Sequence, residues 1–265
     1  MTLSMATPPW RVDLKAAAVL GLAGALATAV LFPYLLQLMP ETLEHAPLPL
    51  PLLAAAQSLQ AFMLLGALAL AGLRMGHRLG LGAPWLQRAC GAEGETLPRP
   101  AVSQALLLGI GSGALVLLGA HWIDPWLPPM VHPPKATPAG LSALTGLLAS
   151  LYGGIVEELQ LRLFLMTLML WVAARLRRRL PGDTGFRIAL VLAAVLFGAG
   201  HLPAAAHLWG LDTIVVLRTL VLNALVGGVC GWLYWRRGLE MAMLAHFSAD
   251  LVLHMLAPLL SAAAP

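Results

Sequence analysis

Apolar runs of roughly 18 or more residues recur along this chain from one end to the other, and a run of that length is what a helix needs to cross the hydrocarbon of a bilayer. Only 11% of the 265 residues are charged, against 59% hydrophobic, whereas soluble domains carry about 25% charged residues. The pattern predicts an all-α, polytopic transmembrane helical bundle of seven or eight spans, with no soluble domain. The seven clearest spans run at roughly 14–38, 52–73, 101–123, 141–174, 187–206, 214–235 and 239–258. The first is too long for the apolar region of a signal peptide and reads as a retained span. Proline clusters at 47–52, 125–134 and 201–203 fit interfacial loops, because proline lacks the N–H that a lipid-exposed helix must bond internally.

Loop charges orient the bundle. Thirteen basic residues fall on one side: Arg11, Lys15, Arg74, Arg78, Arg88, Arg99, Arg175, Arg177, Arg178, Arg179, Arg187, Arg236 and Arg237. The other side has Lys135 and Arg218. The positive-inside rule then predicts a cytoplasmic N-terminus and an outer C-terminus. The net charge of +4 therefore speaks to topology, and no nucleic-acid partner is expected. Cys90 and Cys230 lie far apart, which excludes a disulfide framework and a cysteine-based zinc site. The glycines at 109, 111, 113, 153, 154, 227, 228 and 231 read first as points of close helix packing.

Three polar groups interrupt the later spans. Ionisable residues within a span cost about 2.5–3.5 kcal/mol each on insertion scales, so each is a functional candidate. In "EELQLR", Glu158 and Arg162 are four apart on one helical face and can pair, while Glu157 points elsewhere and stays free. In "FGAGH", Phe197 and His201 share a face with small residues between them. In "HFSAD", Asp250 is placed to orient or charge His246. Each group alone could be a structural pair or a packing residue. Asn223 could join them or bridge two helices. Converging on one wet intramembrane cavity, they would form a hydrolase toolkit: a carboxylate and an imidazole hold and deprotonate water, and a second imidazole stabilises an oxyanion.

Glu-Glu-x-x-x-Arg, then Phe-x-x-x-His, then His-x-x-x-Asp, in this order and in late spans, resembles the CPBP family, also called the Abi or CAAX-protease-like family of intramembrane proteases. The resemblance covers about residues 141–256 and sets this core, residues 141–265, apart from three N-terminal spans in residues 1–140. It implies a glutamic-type intramembrane endopeptidase acting near a membrane-anchored segment. The substrate would be a lipidated C-terminal tail or, as in bacterial myxosortase-like members, a transmembrane sorting tail. Glu157 would be the base on water and His201 would help hold it. His246 and Asp250 would line the oxyanion side, and Glu158 with Arg162 would shape the site. CAAX-processing members often carry Asn where Asp250 stands, so Asp250 would be protonated or would act by fixing His246. The inner membrane of a bacterium is the implied location, the lipid bilayer and an anchored substrate the implied partners.

Two other readings share these residues: a catalytically silent partner-binding or immunity protein of the same fold, and a proton-coupled transporter. Zinc at Glu157, His201 and His246 is the alternative to a cofactor-free mechanism. The chain lacks H-E-x-x-H, and the charge on Arg162 opposes a dication. The other histidines, His45, His77, His121, His132, His207 and His254, read as interfacial. Straight helices would leave Glu157 and His246 at different depths, so the fourth span is expected to break after Arg162 or to overhang the bilayer.

Overall fold

A computed structural model describes residues 9–93 and 99–263; the side chain of Arg99, counted among the inner charges, lies outside that set. Among the described residues, seven helices are long and apolar enough to cross a membrane: α1 (Trp10–Leu38), α2 (Leu50–Leu79), α3 (Ala101–Trp126), α4 (Ala139–Arg177), α5 (Asp183–Trp209), α6 (Thr213–Arg237) and α7 (Leu239–Ala262). No strand occurs among the described residues. The protein is an all-α integral membrane bundle. Its outer faces expose Leu59, Leu107, Ile188 and Val221, as lipid-facing helices should, since in hydrocarbon the only backbone groups that must be shielded are bonded within each helix.

α4 is the axis of the bundle. It packs on α1 and α2 along one side and on α5, α6 and α7 along the other, while α3 backs α7 and α6. From Leu151 to Trp171 α4 has no exposed residue, and Val156, Leu159, Leu163 and Met166 are all buried there. The interhelical contacts explain most of the glycines. A Cβ on Gly109 would run into the Ala245 backbone of α7, and one on Gly146 into the His254 carbonyl; Gly227 lies against Ala194 and Phe197. Gly111 and Gly228 face open space instead, so the packing reading does not extend to them.

α4 does not break after Arg162. It continues without interruption for 39 residues, about 58 Å at the α-helical rise, against about 30 Å of hydrocarbon. Its winding changes twice, to π-helix at Gly153–Glu157 and again at Leu159–Met166. π-helical turns are rare and widen the helix locally. The length of α4 exceeds a single crossing, which is the overhanging alternative. α7 also winds as π-helix at Leu251–Leu256, and α5 stops at Gly200, turns at His201 and restarts at Leu202.

The ends near the arginine-rich loops are tied by a buried knot the sequence did not advertise. Asp13 of α1 is fully buried and accepts hydrogen bonds from Arg74, His77 and Gln87 at 2.8, 2.7 and 3.0 Å. The short helix Pro84–Ala89 is then held to α7 by the Leu86 N–H on Glu240 at 2.9 Å. His77 is thus a structural residue, not a loose interfacial one.

Gly109 and Gly111 give a matched test of the packing. Gly109→Ala forces α3 off α7, and overpacking of this kind costs about 1–3 kcal/mol. Thermal unfolding of the purified protein in detergent is expected to shift down by several degrees for Gly109→Ala and hardly at all for Gly111→Ala.

Candidate active site

The two glutamates of α4 occupy different environments. Glu158 is 0% exposed, whereas 22% of the Glu157 side chain is accessible. Oε1 of Glu158 lies 2.8 Å from Nη1 of Arg162, one turn on. The same oxygen accepts the Nδ1–H of His246 from α7 at 2.7 Å. Arg162 is also fully buried and donates through Nη2 to the Gly227 carbonyl of α6 at 3.0 Å. Its remaining positive face lies 4.9 Å from the centre of the Phe197 ring, a favourable cation–π placement. Glu158, Arg162 and His246 therefore lock α4, α6 and α7 together.

Glu157 faces the other way, toward both imidazoles. Its Oε2 lies 3.7 Å from His246 Nε2, and its Oε1 lies 4.0 Å from His201 Nε2. These gaps are too long for direct hydrogen bonds and suit a bridging water. Each ring is fixed from behind. The Nδ1 of His201 is 2.9 Å from the Phe197 carbonyl, and a carbonyl only accepts, so that nitrogen carries the hydrogen. The Nδ1 of His246 gives its hydrogen to Glu158. Both Nε2 atoms are thereby left facing Glu157. Phe197 stands between the rings, edge-on to His201 at 4.7 Å and to His246 at 5.3 Å.

Asp250 reaches the same centre, with Oδ2 3.7 Å from His246 Nε2. It is not the group that orients His246; that group is Glu158, from a different helix. Asn223 bonds within its own helix. Its amide donates at 2.8 Å to the Thr219 carbonyl one turn back in its own helix.

Three residues escaped the sequence reading. His254 lies 3.9 Å from Asp250 Oδ1 and so belongs to the edge of the site; its signal was the four-residue period His246, Asp250, His254. Gly153 lies one turn before Glu157, and a Cβ there would collide with Asp250 Oδ2 and press on His246 Nε2. Cys230 of α6 is buried against the hub.

Among the described residues, the three side chains whose donor atoms fall within 4.8 Å of one another are Glu158, Cys230 and His246, not Glu157, His201 and His246. In that trio, Glu158 Oε1 already accepts from His246, and the Arg162 guanidinium sits 2.8 Å from the same oxygen. A fixed cation at that distance occupies the place of a dication, so the trio does not fit zinc.

Residues 139–252 match the protein family described as type II CAAX prenyl endopeptidase Rce1-like. The match spans α4 to the middle of α7, which carries Glu157, Glu158, Arg162, His201, His246 and Asp250, and leaves α1–α3 and His254 outside it. No curated protein and no solved structure matches the chain.

The hub predicts a double-variant result. Arg162→Met strands the Glu158 carboxylate without compensation, and breaking a buried pair this way costs about 3–5 kcal/mol. The variant is expected to unfold at a markedly lower temperature. Glu158→Gln combined with Arg162→Met is expected to recover much of that loss while leaving His246 without its carboxylate, which thermal unfolding of the single and double variants will show.

Proposed function

Since residues 139–252 belong to the Rce1-like family of type II CAAX prenyl endopeptidases, we propose that this chain is an intramembrane endopeptidase of glutamic type. It hydrolyses a peptide bond near a membrane-anchored segment, either lipidated or transmembrane. The observation that carries this reading is the position of Glu157, 22% accessible between two imidazole nitrogens at 3.7 and 4.0 Å, while Oε1 of its buried neighbour Glu158 is taken by Arg162 and His246.

In this mechanism Glu157 takes a proton from a water held between it and His201, and the water oxygen attacks the scissile carbonyl. The negative charge that forms on the carbonyl oxygen is met by His246. With its Nδ1–H on Glu158, a protonated His246 presents its Nε2–H to that oxygen. Asp250 lines the same side. Collapse of the tetrahedral intermediate breaks the C–N bond, and Glu157 returns its proton to the departing amine. Glu158 and Arg162 keep His246 in place and balance its charge. No step requires a metal ion.

We further place the N-terminus in the cytoplasm of a bacterial cell. The support is the thirteen-to-two distribution of basic residues named above, which puts the arginine-rich loops on the inner side. The bilayer and an anchored protein or peptide are the partners this reading requires.

The reading is tested by comparing new C-termini of membrane proteins in cells producing the wild-type chain and cells producing folded Glu157→Gln. Removing a general base typically costs about 10²–10⁴ in rate, so wild-type-dependent cleavage products are expected to vanish. His201→Ala is expected to lose them as well with an unfolding temperature close to wild type, and His246→Ala to lose them with a lowered unfolding temperature, since it also removes a buried partner of Glu158. Products that persist in Glu157→Gln would remove the mechanism. Cleavage abolished by a chelator and restored by zinc would replace it with a metal-dependent one.

A further inference from the structure

A second cavity, of about 180 Å³, lies at the end of the bundle opposite the arginine-rich loops. Its polar lining consists of Tyr34 and Gln37 from α1, Lys135, the hydroxyl pair Thr137–Ser142, and His254 from α7. Leu38 and Leu253 form apolar wall. None of the lining residues carries a carboxylate, so the cavity is rich in donors and holds a single fixed cation. The nearest acid, Asp250, stands behind His254 at 3.9 Å.

Lys135 is held there by a proline-rich strap. The segment between α3 and α4 contains Pro128, Pro129, Pro133, Pro134 and Pro138, whose fixed φ angles leave it little conformational freedom. It is pinned at both sides of the bundle. The N–H of Val131 donates to the Leu208 carbonyl of α5 at 2.7 Å, and the N–H of Lys135 donates to the Gln37 carbonyl of α1 at 2.8 Å. The other basic chain at this end, Arg218, is already taken by Asp124, at 2.6 and 3.0 Å. Among the described residues Lys135 has no carboxylate partner. Gln37 uses its amide oxygen on the Thr145 hydroxyl at 3.1 Å, which leaves its N–H groups for the cavity.

His254, one wall of this cavity, borders the catalytic centre through Asp250 at 3.9 Å. His254 is one turn beyond Asp250 on α7, about 6 Å along the axis, and Asp250 Oδ2 is 3.7 Å from His246 Nε2. An extended peptide advances about 3.3–3.6 Å per residue, so two or three residues span the distance. One cation matched to several neutral donors suits a monoanion with an aliphatic neighbour. A phosphate dianion would be left half-neutralised.

We propose that this cavity is a specificity subsite that binds a carboxylate of the peptide substrate, two or three residues from the bond cleaved, with Lys135 as its charge partner. The assignment rests on the endopeptidase reading for the identity of the ligand as a peptide, but its test does not require cleavage.

Tritiated N-acetyl-trileucine, as free acid and as carboxamide, is bound to the full-length protein in phosphatidylcholine nanodiscs. One charge-assisted contact at an accessible lysine predicts about tenfold tighter binding of the acid. Lys135→Ala is expected to erase that preference, Lys135→Arg to keep it, and Glu157→Gln to leave it unchanged. N-acetyl-Leu-Leu-Asp-carboxamide binding as tightly as the free acid would support the subsite and assign the carboxylate to a side chain. Equal binding of acid and carboxamide, or a preference that survives Lys135→Ala, would overturn the proposal. So would loss of the preference on adding phosphatidylglycerol, since a lipid headgroup would then be the occupant. Loss of the preference with cleavage by the wild type intact sinks the subsite alone; a preference in a chain whose cleavage products persist in Glu157→Gln sinks the mechanism alone.

Discussion

Everything in this site depends on one buried carboxylate oxygen. Glu158 Oε1 lies 2.7 Å from His246 Nδ1 and 2.8 Å from Arg162 Nη1, and the three residues come from α4 and α7 with α6 supplying the Gly227 carbonyl. A charge this deep carries a desolvation penalty of several kcal/mol. The penalty is met only when all partners are in place, so the arrangement is close to all-or-none. Aliphatic residues of the same volume would hold three helices together at less risk. What they could not do is fix the tautomer and angle of an imidazole in the middle of a hydrophobic bundle.

The backbone of α4 is shaped around that requirement. Its π-helical stretches bracket Glu158, ending at Glu157 and resuming at Leu159. Just past the second stretch the Thr167 hydroxyl reaches back to the Arg162 carbonyl at 3.3 Å and pairs with the Tyr234 hydroxyl at 2.6 Å. Gly153 and Gly154 open the first stretch, and both lie where a side chain would strike α7. The pair of glycines therefore serves the site as much as the packing. It lets α7 come close enough for His246 to reach both glutamates, which a straight α4 at ordinary helix spacing was not expected to allow.

Most of the architecture was legible because hydrocarbon thickness is a strong ruler. All seven spans predicted from apolar run length are present, with ends displaced by a few residues. The pairing of Glu158 with Arg162 followed from helical spacing and is observed. Sequence spacing fails once contacts cross between helices. Asp250 looked like the partner of His246 because it is four residues away, yet Glu158, 88 residues distant, holds the ring. Asp13 passed unnoticed because its partners Arg74, His77 and Gln87 sit on other elements. For α4 the outcome is the second of the two expected alternatives, an unbroken helix longer than one crossing needs: hydrophobic length fixes the minimum a helix must cross, but not how far it continues beyond the bilayer.

The two histidines are held alike but backed differently, and this divides their labour in the proposed mechanism. Behind His201 stands a neutral carbonyl, that of Phe197. It fixes the ring but offers no compensation for a positive charge. Behind His246 stands a carboxylate, which stabilises an imidazolium and is itself kept from excess charge by Arg162. A neutral ring with its Nε2 lone pair toward Glu157 is suited to holding a water hydrogen. A charged ring with Nε2–H is suited to meeting a developing oxyanion. Phe197 contacts both rings and the guanidinium, so it keeps the two imidazoles apart and in register. Assigning the water side to His201 and the oxyanion side to His246 follows from what lies behind each ring, not from their similar distances to Glu157.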